Sequence, residues 1–265
     1  MEIVYDKANP TNNVLEDFAQ RFPLCYSMSP DSKIAIYDIC TGRSYKRRET
    51  IIDAYQGRGY VYIVLEGSVF IFLVSPETGH RRIFWICEPG DILGDTHLWG
   101  HPSNRELETY AEAAEDTLLM ALPRDKLATI VEQHKELLAV QGRVLSRRLR
   151  HTESRLVEST FLSIEDRLLA EIVRLGTRWG QDTSRGYHLD IRLTHEQLAD
   201  LIGVARPTLS KRISSLMRRG ILLIDEEGHL VIPPKKAYGG KKQLSIPCPL
   251  LTQVDKNPPS VRFPC

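Results

Sequence analysis

The segment from Leu193 to Gly220, LTHEQLADLIGVARPTLSKRISSLMRRG, constrains the fold of this 265-residue chain more than any other segment. Thr194 can begin a helix by accepting a backbone N–H, with Gln197 as its capping-box partner. Gly203 can end that helix in the left-handed conformation, and Pro207 suits the first turn of a second helix because its missing N–H is not needed there. The pattern predicts two short helices joined by a tight turn, which is a helix-turn-helix.

The second helix of this pair has an apolar face and a basic face. Leu209, Ile213 and Leu216 recur at helical spacing and are expected to pack inward. The candidate DNA-facing side chains on its other faces are Arg206, Thr208, Ser210, Lys211 and Arg212. No Asp or Glu lies between Gly203 and Gly220, although the whole chain has a net charge of only +1. A solvated helical hairpin would carry the same charges, but the agreement of cap, turn and apolar face favours DNA binding.

Two short apolar runs follow the basic helix. In ILLIDEEGHLVI they flank Asp225-Glu226-Glu227-Gly228, which is typical of a β-hairpin. A hairpin directly after a recognition helix is a wing, whose tip commonly lies against the DNA backbone. Glu226 and Glu227 make this tip a poor phosphate ligand, so we expect the wing to have a structural role first.

Composition predicts a globular, cytoplasmic protein. An apolar content of 42% is enough for real cores. No stretch approaches the ~20 apolar residues of a membrane helix, and the N-terminus lacks a signal-peptide pattern, so we expect no membrane partner. The five cysteines contain no CxxC pair, which indicates neither a disulfide framework nor a zinc site; they are Cys25, Cys40, Cys87, Cys248 and Cys265. A thiol switch through Cys25 or Cys40 and a buried, inert role both stay open.

The N-terminal half has the pattern of an all-β domain. Between Tyr45 and Leu122, short β-branched and aromatic runs alternate with turns. The turns are Glu66-Gly67, Pro76-Glu77-Thr78-Gly79 and Pro89-Gly90-Asp91. Many short strands at this spacing predict an antiparallel barrel or jelly roll.

Beyond Pro123 the period becomes helical, and one stripe of residues repeats in steps of three and four. The stripe consists of Leu138, Gly142, Leu145, Leu149, Thr152 and Leu156. Such a/d spacing favours pairing with an identical helix, the alternative being that the stripe packs on its own barrel. A helix-turn-helix needs two copies one DNA turn apart to read a useful length of sequence, so we expect a homodimer.

The predicted fold is therefore α+β, with an N-terminal antiparallel β-roll, a long dimerisation helix and a C-terminal winged helix-turn-helix. We assign residues 1–124 to an effector-sensing β-roll, 125–160 to the dimerisation helix and 161–234 to the DNA-binding domain. Residues 235–265, rich in proline and lysine, are expected to form a tail that either is solvated or adds nonspecific DNA affinity.

The order of these segments resembles one family. VLEGSVFIFL and EPGDILGD in the β-roll, the seam helix, and LTHEQLADLIGVARPTLSKRISSL make the chain similar to the cyclic-AMP receptor/FNR family of bacterial transcription regulators. The likeness runs roughly from Tyr45 to Ile232. It implies a homodimer that reads a palindromic DNA site, a cyclic-nucleotide-binding-like β-roll that senses an effector or redox signal, and RNA polymerase as a partner.

The resemblance also implies roles for residues of the helix-turn-helix. Arg206 matches an arginine that contacts a guanine, and Lys211 stands where a second base-contacting arginine is frequent, although lysine lacks the planar fork. An acidic residue usually follows the arginine, whereas this chain has Pro207, so its target preference should differ. Thr194 and Thr208 match phosphate-holding positions, and we expect Arg212 to contact phosphate as well.

The effector pocket matches the family less closely. The family's Gly-Glu pair for ribose, its arginine for the cyclic phosphate and its threonine near the base correspond to Gly94, Asp95, Arg105 and Thr152. Glu106 follows Arg105 where a hydroxyl is expected, and a carboxylate beside a bound phosphate is unfavourable. The effector therefore stays unknown: a cyclic nucleotide, an unknown effector and no effector are all open.

Metal and catalytic signatures are weak. We expect no iron–sulfur cluster, because the cysteines do not form the required group of four. His97 and His101 are four residues apart, but Gly100 and Pro102 argue against a helix, so we predict loop histidines and no metal site. A cupin-type metal enzyme would need a His-x-His strand, which the chain lacks. A cyclic-nucleotide-binding signalling adaptor would leave the basic helix unexplained, so we expect a regulator that is not an enzyme.

Overall fold

The computed structural model describes residues 2–3, 28–53, 56, 58–99, 109–183, 186–189, 193–225 and 229–233. The chain divides into two compact units, Met1–Arg150 and His151–Cys265. The predicted tail, 235–265, lies outside the described residues. The four-part division made from sequence stays a prediction, since the two units divide within the long helix rather than at either end of it.

The first unit contains two antiparallel sheets, as predicted for a β-roll. Their strand orders are β1-β2-β9-β4-β7 and β3-β8-β5-β6. The strands are β1 (Glu2–Ile3), β2 (Thr41–Tyr45), β3 (Thr50–Ile52), β4 (Tyr60–Glu66), β5 (Val69–Val74), β6 (Arg81–Cys87), β7 (Ile92–Leu93), β8 (Thr109–Ala113) and β9 (Thr117–Pro123).

Strand β4 shows why the central apolar runs are continuous. Tyr62 and Val64 lie in a core shared by the two sheets. Val61 and Ile63, which point the opposite way, lie in a second core together with the helices of this unit. Because both faces of the strand are buried, the run YVYIVL shows no polar alternation.

The predicted turns are confirmed. Gly67, between β4 and β5, has φ +78°, and a Cβ there would lie 2.6 Å from the Asp116 carbonyl oxygen. The turn of 76–79 joins β5 to β6, and Ser75 N–H donates to the His80 carbonyl at 2.9 Å. The third break, at 89–91, separates β6 from β7.

Four helices begin among the described residues of this unit: α1 (Pro30–Ile39), α2 (Thr96–Trp99), α3 (Arg124–Gln133) and α4 (Glu136–Phe161). The prediction of a single helix over 125–160 is wrong, because α3 ends before α4 begins. The His134 N–H donates to the Ile130 carbonyl at 2.9 Å, and Glu136 accepts from the Ser29 hydroxyl at 2.8 Å. The Leu137 N–H also donates to the His134 carbonyl at 3.0 Å, and neither Gly nor Pro marks the break in the sequence.

The loop predicted around His97 also needs correction. Residues 96–99 form one helical turn, closed by Leu98 N–H donating to the Asp95 carbonyl at 3.0 Å. The turn ends at Trp99, and His101 lies outside the described residues.

The second unit carries the end of α4, the helices α5 (Ile164–Trp179), α6 (His195–Ile202) and α7 (Arg206–Arg218), and one sheet. The sheet has the order β10-β11-β13-β12, with β10 (Gly180–Thr183), β11 (Gly186–Leu189), β12 (Leu223–Ile224) and β13 (Leu230–Ile232). The predicted wing is the β12–β13 hairpin. The sequence analysis did not predict β10 and β11, which extend the hairpin to four strands. No helix in the described ranges has the length and apolarity needed to cross a membrane.

Candidate DNA-binding and effector sites

The helix-turn-helix has the predicted caps. The Thr194 hydroxyl accepts from the Gln197 N–H at 3.1 Å, and the Gln197 side-chain oxygen accepts from the Thr194 N–H at 2.9 Å. Gly203 adopts φ +68° at the end of α6, where a side chain would be strained. The two helices are therefore positioned by residues that the sequence alone identifies.

The predicted apolar face of α7 is fully buried. Leu209, Ile213 and Leu216 are at most 1% exposed, and Leu198 and Leu201 of α6 are equally buried. Burial of this face fixes the rotation of α7 about its own axis. The remaining faces of α7 are therefore the ones available for DNA.

Most of the predicted DNA-binding side chains are accessible. Arg206, Lys211 and Arg212 are exposed, and Thr208 is half-buried. The Ser210 hydroxyl lies 3.1 Å from His195 Nδ1, which ties α7 to the first turn of α6. The structure places five of the six residues on α7, with Thr194, the sixth, at the start of α6.

Arginines from outside the helix-turn-helix close the C-terminal end of α6. The Leu201 carbonyl accepts from Arg155 of α4 at 3.4 Å, and the Ile202 carbonyl accepts from Arg167 of α5 at 3.1 Å. The last carbonyls of a helix have no partner within the helix. These arginines therefore anchor the DNA-binding helices to α4 and α5.

A buried ionic cluster supports these anchors. Arg155 Nη1 lies 2.6 Å from Glu171, and Arg174 pairs with both Glu171 and Glu158. The side chains of the two glutamates are at most 4% exposed. The sequence analysis missed this cluster, because spacing along one helix does not reveal the contacts of Arg155 with Glu171 and of Arg174 with Glu158.

In the predicted effector site, Asp95 is hydrogen-bonded to side chains of α4. The Asp95 carboxylate is buried and accepts from Gln141 at 2.7 Å and from Arg148 at 2.6 Å. Gly94 has φ +79°, and a Cβ there would lie 2.8 Å from the Tyr60 carbonyl oxygen. The backbone therefore requires glycine at position 94. The Asp95 carboxylate is already paired within the protein.

A second buried carboxylate, Asp91, repeats this arrangement. It accepts from the Glu88 N–H at 3.0 Å and from Trp85 Nε1 at 3.4 Å, and it pairs with Arg147. Sequence reasoning placed Asp91 only in a turn. Asp91 and Asp95 together hold the first half of α4 on the β-roll.

The other two predicted effector residues are Arg105 and Thr152. Arg105 lies outside the described residues. Thr152 is exposed on α4 and belongs to the second unit. The nucleotide-binding role of the four residues therefore stays a prediction.

The predicted dimer seam is exposed along α4. Leu138, Leu145, Leu149 and Leu156 are 46%, 45%, 59% and 66% exposed. Thr152 is also exposed, and a Cβ on Gly142 would meet no atom within 4 Å. The inner side of the same helix buries Leu137, Val140 and Val144. The stripe is therefore exposed, and its pairing with an identical helix stays a prediction.

Two of the cysteines are deeply buried. Cys40 and Cys87 are free thiols, 2% and 1% exposed. Burial raises the pKa of the Cys87 thiol well above its ordinary value. The burial of both thiols fits the inert alternative, the thiol switch stays a prediction, and Cys25, Cys248 and Cys265 lie outside the described residues.

Comparison with known proteins matches both units. Residues 166–237 match the Crp-like helix-turn-helix domain, and residues 42–134 match the cyclic nucleotide-binding domain. The CRP-like cAMP-activated global transcriptional regulator of Mycobacterium tuberculosis is 23% identical over 217 residues, covering 82% of this chain and 95% of the relative.

Two solved structures are also similar. The c-di-GMP responsive global regulator CLP of Xanthomonas campestris has a TM-score of 0.69 at 19% identity, covering 78% of this chain and 100% of that one. A CRP/FNR-family transcriptional regulator of Thermus thermophilus has a TM-score of 0.60 at 26% identity, covering 74% of this chain and 95% of that one.

A β-roll, a long helix and a winged helix-turn-helix in one chain define a DNA-binding transcription regulator. With both domain matches and these relatives, the chain belongs to the CRP/FNR family of transcription regulators. Members of this family are regulators rather than enzymes.

Proposed function

We propose that this regulator acts as a homodimer that pairs through the α4 stripe and reads a palindromic DNA site. The observation that supports this most is the run of exposed leucines from Leu138 to Leu156 on a single helix. Large apolar side chains at a/d spacing bury their surface when two such helices pair. Pairing would also provide the two helix-turn-helix copies that a palindrome requires.

Dimerisation is tested by placing a charge on the stripe. Leu149→Glu should convert the dimer to a monomer in sedimentation equilibrium, because two carboxylates would be buried at the seam. Arg150→Glu introduces the same side chain one position away, off the stripe, and should leave the dimer intact. A dimeric Leu149→Glu protein would refute this interface.

Within the DNA complex, we propose that Arg206 and Lys211 contact bases, while Thr194, Thr208 and Arg212 contact phosphates and Ser210 lies beside them. The exposure of the three cations supports these roles. Thr194 already accepts its cap hydrogen bond, but its hydroxyl proton can still be donated to a phosphate.

The two kinds of contact differ in selectivity. Arg206→Ala should lose about 1–3 kcal/mol at the preferred site and broaden the sequence preference. Arg212→Ala should weaken binding uniformly across sequences and reduce the salt dependence. Binding isotherms on the preferred and scrambled duplexes, at two salt concentrations, separate these outcomes. Unchanged selectivity in Arg206→Ala would contradict base reading.

We further propose that the β-roll controls activity through the contacts of Asp91 and Asp95 with α4. The named relatives differ in signal, one being cAMP-activated and another c-di-GMP responsive. Since the two oxygens of Asp95 accept from Gln141 and Arg148, an effector that used Asp95 would compete with one of these two contacts. The same helix carries Arg155, which is bonded to α6, so a change at Asp95 would be transmitted along α4.

The effector is tested by selecting bound sequences from random duplexes with and without cyclic AMP. A palindrome that appears only with the nucleotide would establish nucleotide gating, and the same palindrome without it would point to other effectors. No enrichment in either arm would contradict the proposal of unaided or cyclic-AMP-dependent binding.

The proposal includes a cytoplasmic location, RNA polymerase as a partner and no enzymatic activity. These expectations are supported by the presence of both a Crp-like helix-turn-helix domain and a cyclic nucleotide-binding domain in one chain. Transcription from the selected site, reconstituted with purified RNA polymerase, tests this partner. The wild-type protein should change the transcript level, and Arg206→Ala should not.

A further inference from the structure

We propose that His188, Asp225 and His229 form a binding site for one divalent first-row transition-metal ion of the zinc type, on the wing sheet. The sequence analysis expected no metal site, and 37 residues separate His188 from Asp225. In the structure one ligand atom from each residue lies within 4.8 Å of the other two.

The ligand atoms face one another closely. Asp225 Oδ2 is 2.6 Å from His188 Nε2 and 3.4 Å from His229 Nδ1. Metal–ligand bonds of about 2.0–2.2 Å in a tetrahedral site put ligand atoms about 3.3 Å apart. The Asp225–His229 distance is already close to this value, and the His188–Asp225 distance would widen by about 0.7 Å.

The backbone holds two of the three ligands in place. The Asp225 N–H donates to the His229 carbonyl at 3.0 Å, and the His229 N–H donates to Asp225 Oδ1 at 2.7 Å. This second hydrogen bond orients the carboxylate so that Oδ2 faces both rings, as outer-shell bonds do in metal sites. The third ligand is on β11, where His188 pairs with Val231 of β13.

The three ligands are also open to solvent. The three side chains are 12–23% exposed, which leaves access for an ion and for water as a fourth ligand.

Two imidazoles and one carboxylate select the class of ion. Nitrogen ligands suit zinc, nickel, copper and iron, whereas magnesium and calcium prefer oxygen ligands alone. Bound there, the ion would join the turn between β12 and β13 to β11. The site would thus stiffen the wing, independently of which effector acts on the β-roll.

The experiment uses the full-length protein after chelator treatment, titrated with Co²⁺ as an absorbing probe and then with Zn²⁺ as a competitor. We expect one Co²⁺ per chain with tetrahedral ligand-field bands that Zn²⁺ abolishes. His188→Gln and His229→Gln should each weaken binding by about 100-fold or more, because even outer-shell changes cost about 10–100-fold. His80→Gln, at the exposed β5–β6 turn, should bind like the wild type.

X-ray absorption of the zinc-loaded wild type provides a test that does not depend on the folding of variants. A shell of two imidazoles with oxygen ligands supports the site, and sulfur in the shell overturns it. Absence of Co²⁺ bands in the wild type, or unchanged bands in both histidine variants, would show a hydrogen-bonded His–Asp–His cluster instead.

Discussion

Replacing Glu171 with Gln should lower the stability of the second unit far more than breaking an exposed ion pair of the same length. Arg155 and Arg174 balance Glu158 and Glu171 in a cluster whose side chains are 2–16% exposed. The amide keeps the shape of the side chain but leaves two arginines facing one carboxylate, so one buried positive charge is uncompensated. Breaking a buried pair in this way costs about 3–5 kcal/mol.

Arg219→Gln is the matched control. Arg219 pairs with Glu165 at 2.6 Å, the same separation as Arg155–Glu171, but the Arg219 side chain is 52% exposed. A surface pair contributes about 0–1 kcal/mol, because water solvates both charges once they separate. The two ion pairs therefore have the same N–O distance and differ in the burial of their side chains.

The assay is equilibrium unfolding in urea, followed by circular dichroism. With a slope of about 2 kcal/mol per molar urea, a loss of about 4 kcal/mol lowers the midpoint by about 2 M. The control should shift the midpoint by less than about 0.5 M. Similar shifts in the two variants would show that burial of the cluster does not determine its contribution.

Three further predictions concern single side chains. Leu209→Ala should cost about 2–5 kcal/mol in urea unfolding, because it opens a cavity under the recognition helix, and a cost below about 1 kcal/mol would contradict its burial. The hydrogen bond from Ser29 lowers the pKa of Glu136, so its stabilising effect is present above its ordinary pKa of 4.5 and is lost as pH falls through the lower folded value. The stability gap between wild type and Glu136→Gln should therefore shrink in acid, and a pH-independent gap would refute this. Cys87 should react with iodoacetamide only after unfolding, as peptide mass mapping would show, and fast labelling of the folded protein would contradict its raised pKa.

The residues predicted correctly from the sequence act over short distances along the chain. Thr194 and Gln197 cap α6, and Gly203 ends it, because these interactions join backbone atoms a few residues apart. The exposed stripe of α4 was also predictable, since helical periodicity alone determines which side chains share a face. The same holds for the turn at Gly67, where a positive φ requires glycine.

Only the tertiary structure decided the features that join distant segments. Ser29 meets Glu136 at the break between α3 and α4, and the pairing of Asp95 depends on Arg148 from another element. The same is true of His188 beside Asp225 in the wing sheet. Charged and polar side chains of this kind have no periodic signature, because their partners are set by how the elements pack. The sequence therefore determined the caps, the turns and the class of protein, and the packing determined which charges meet.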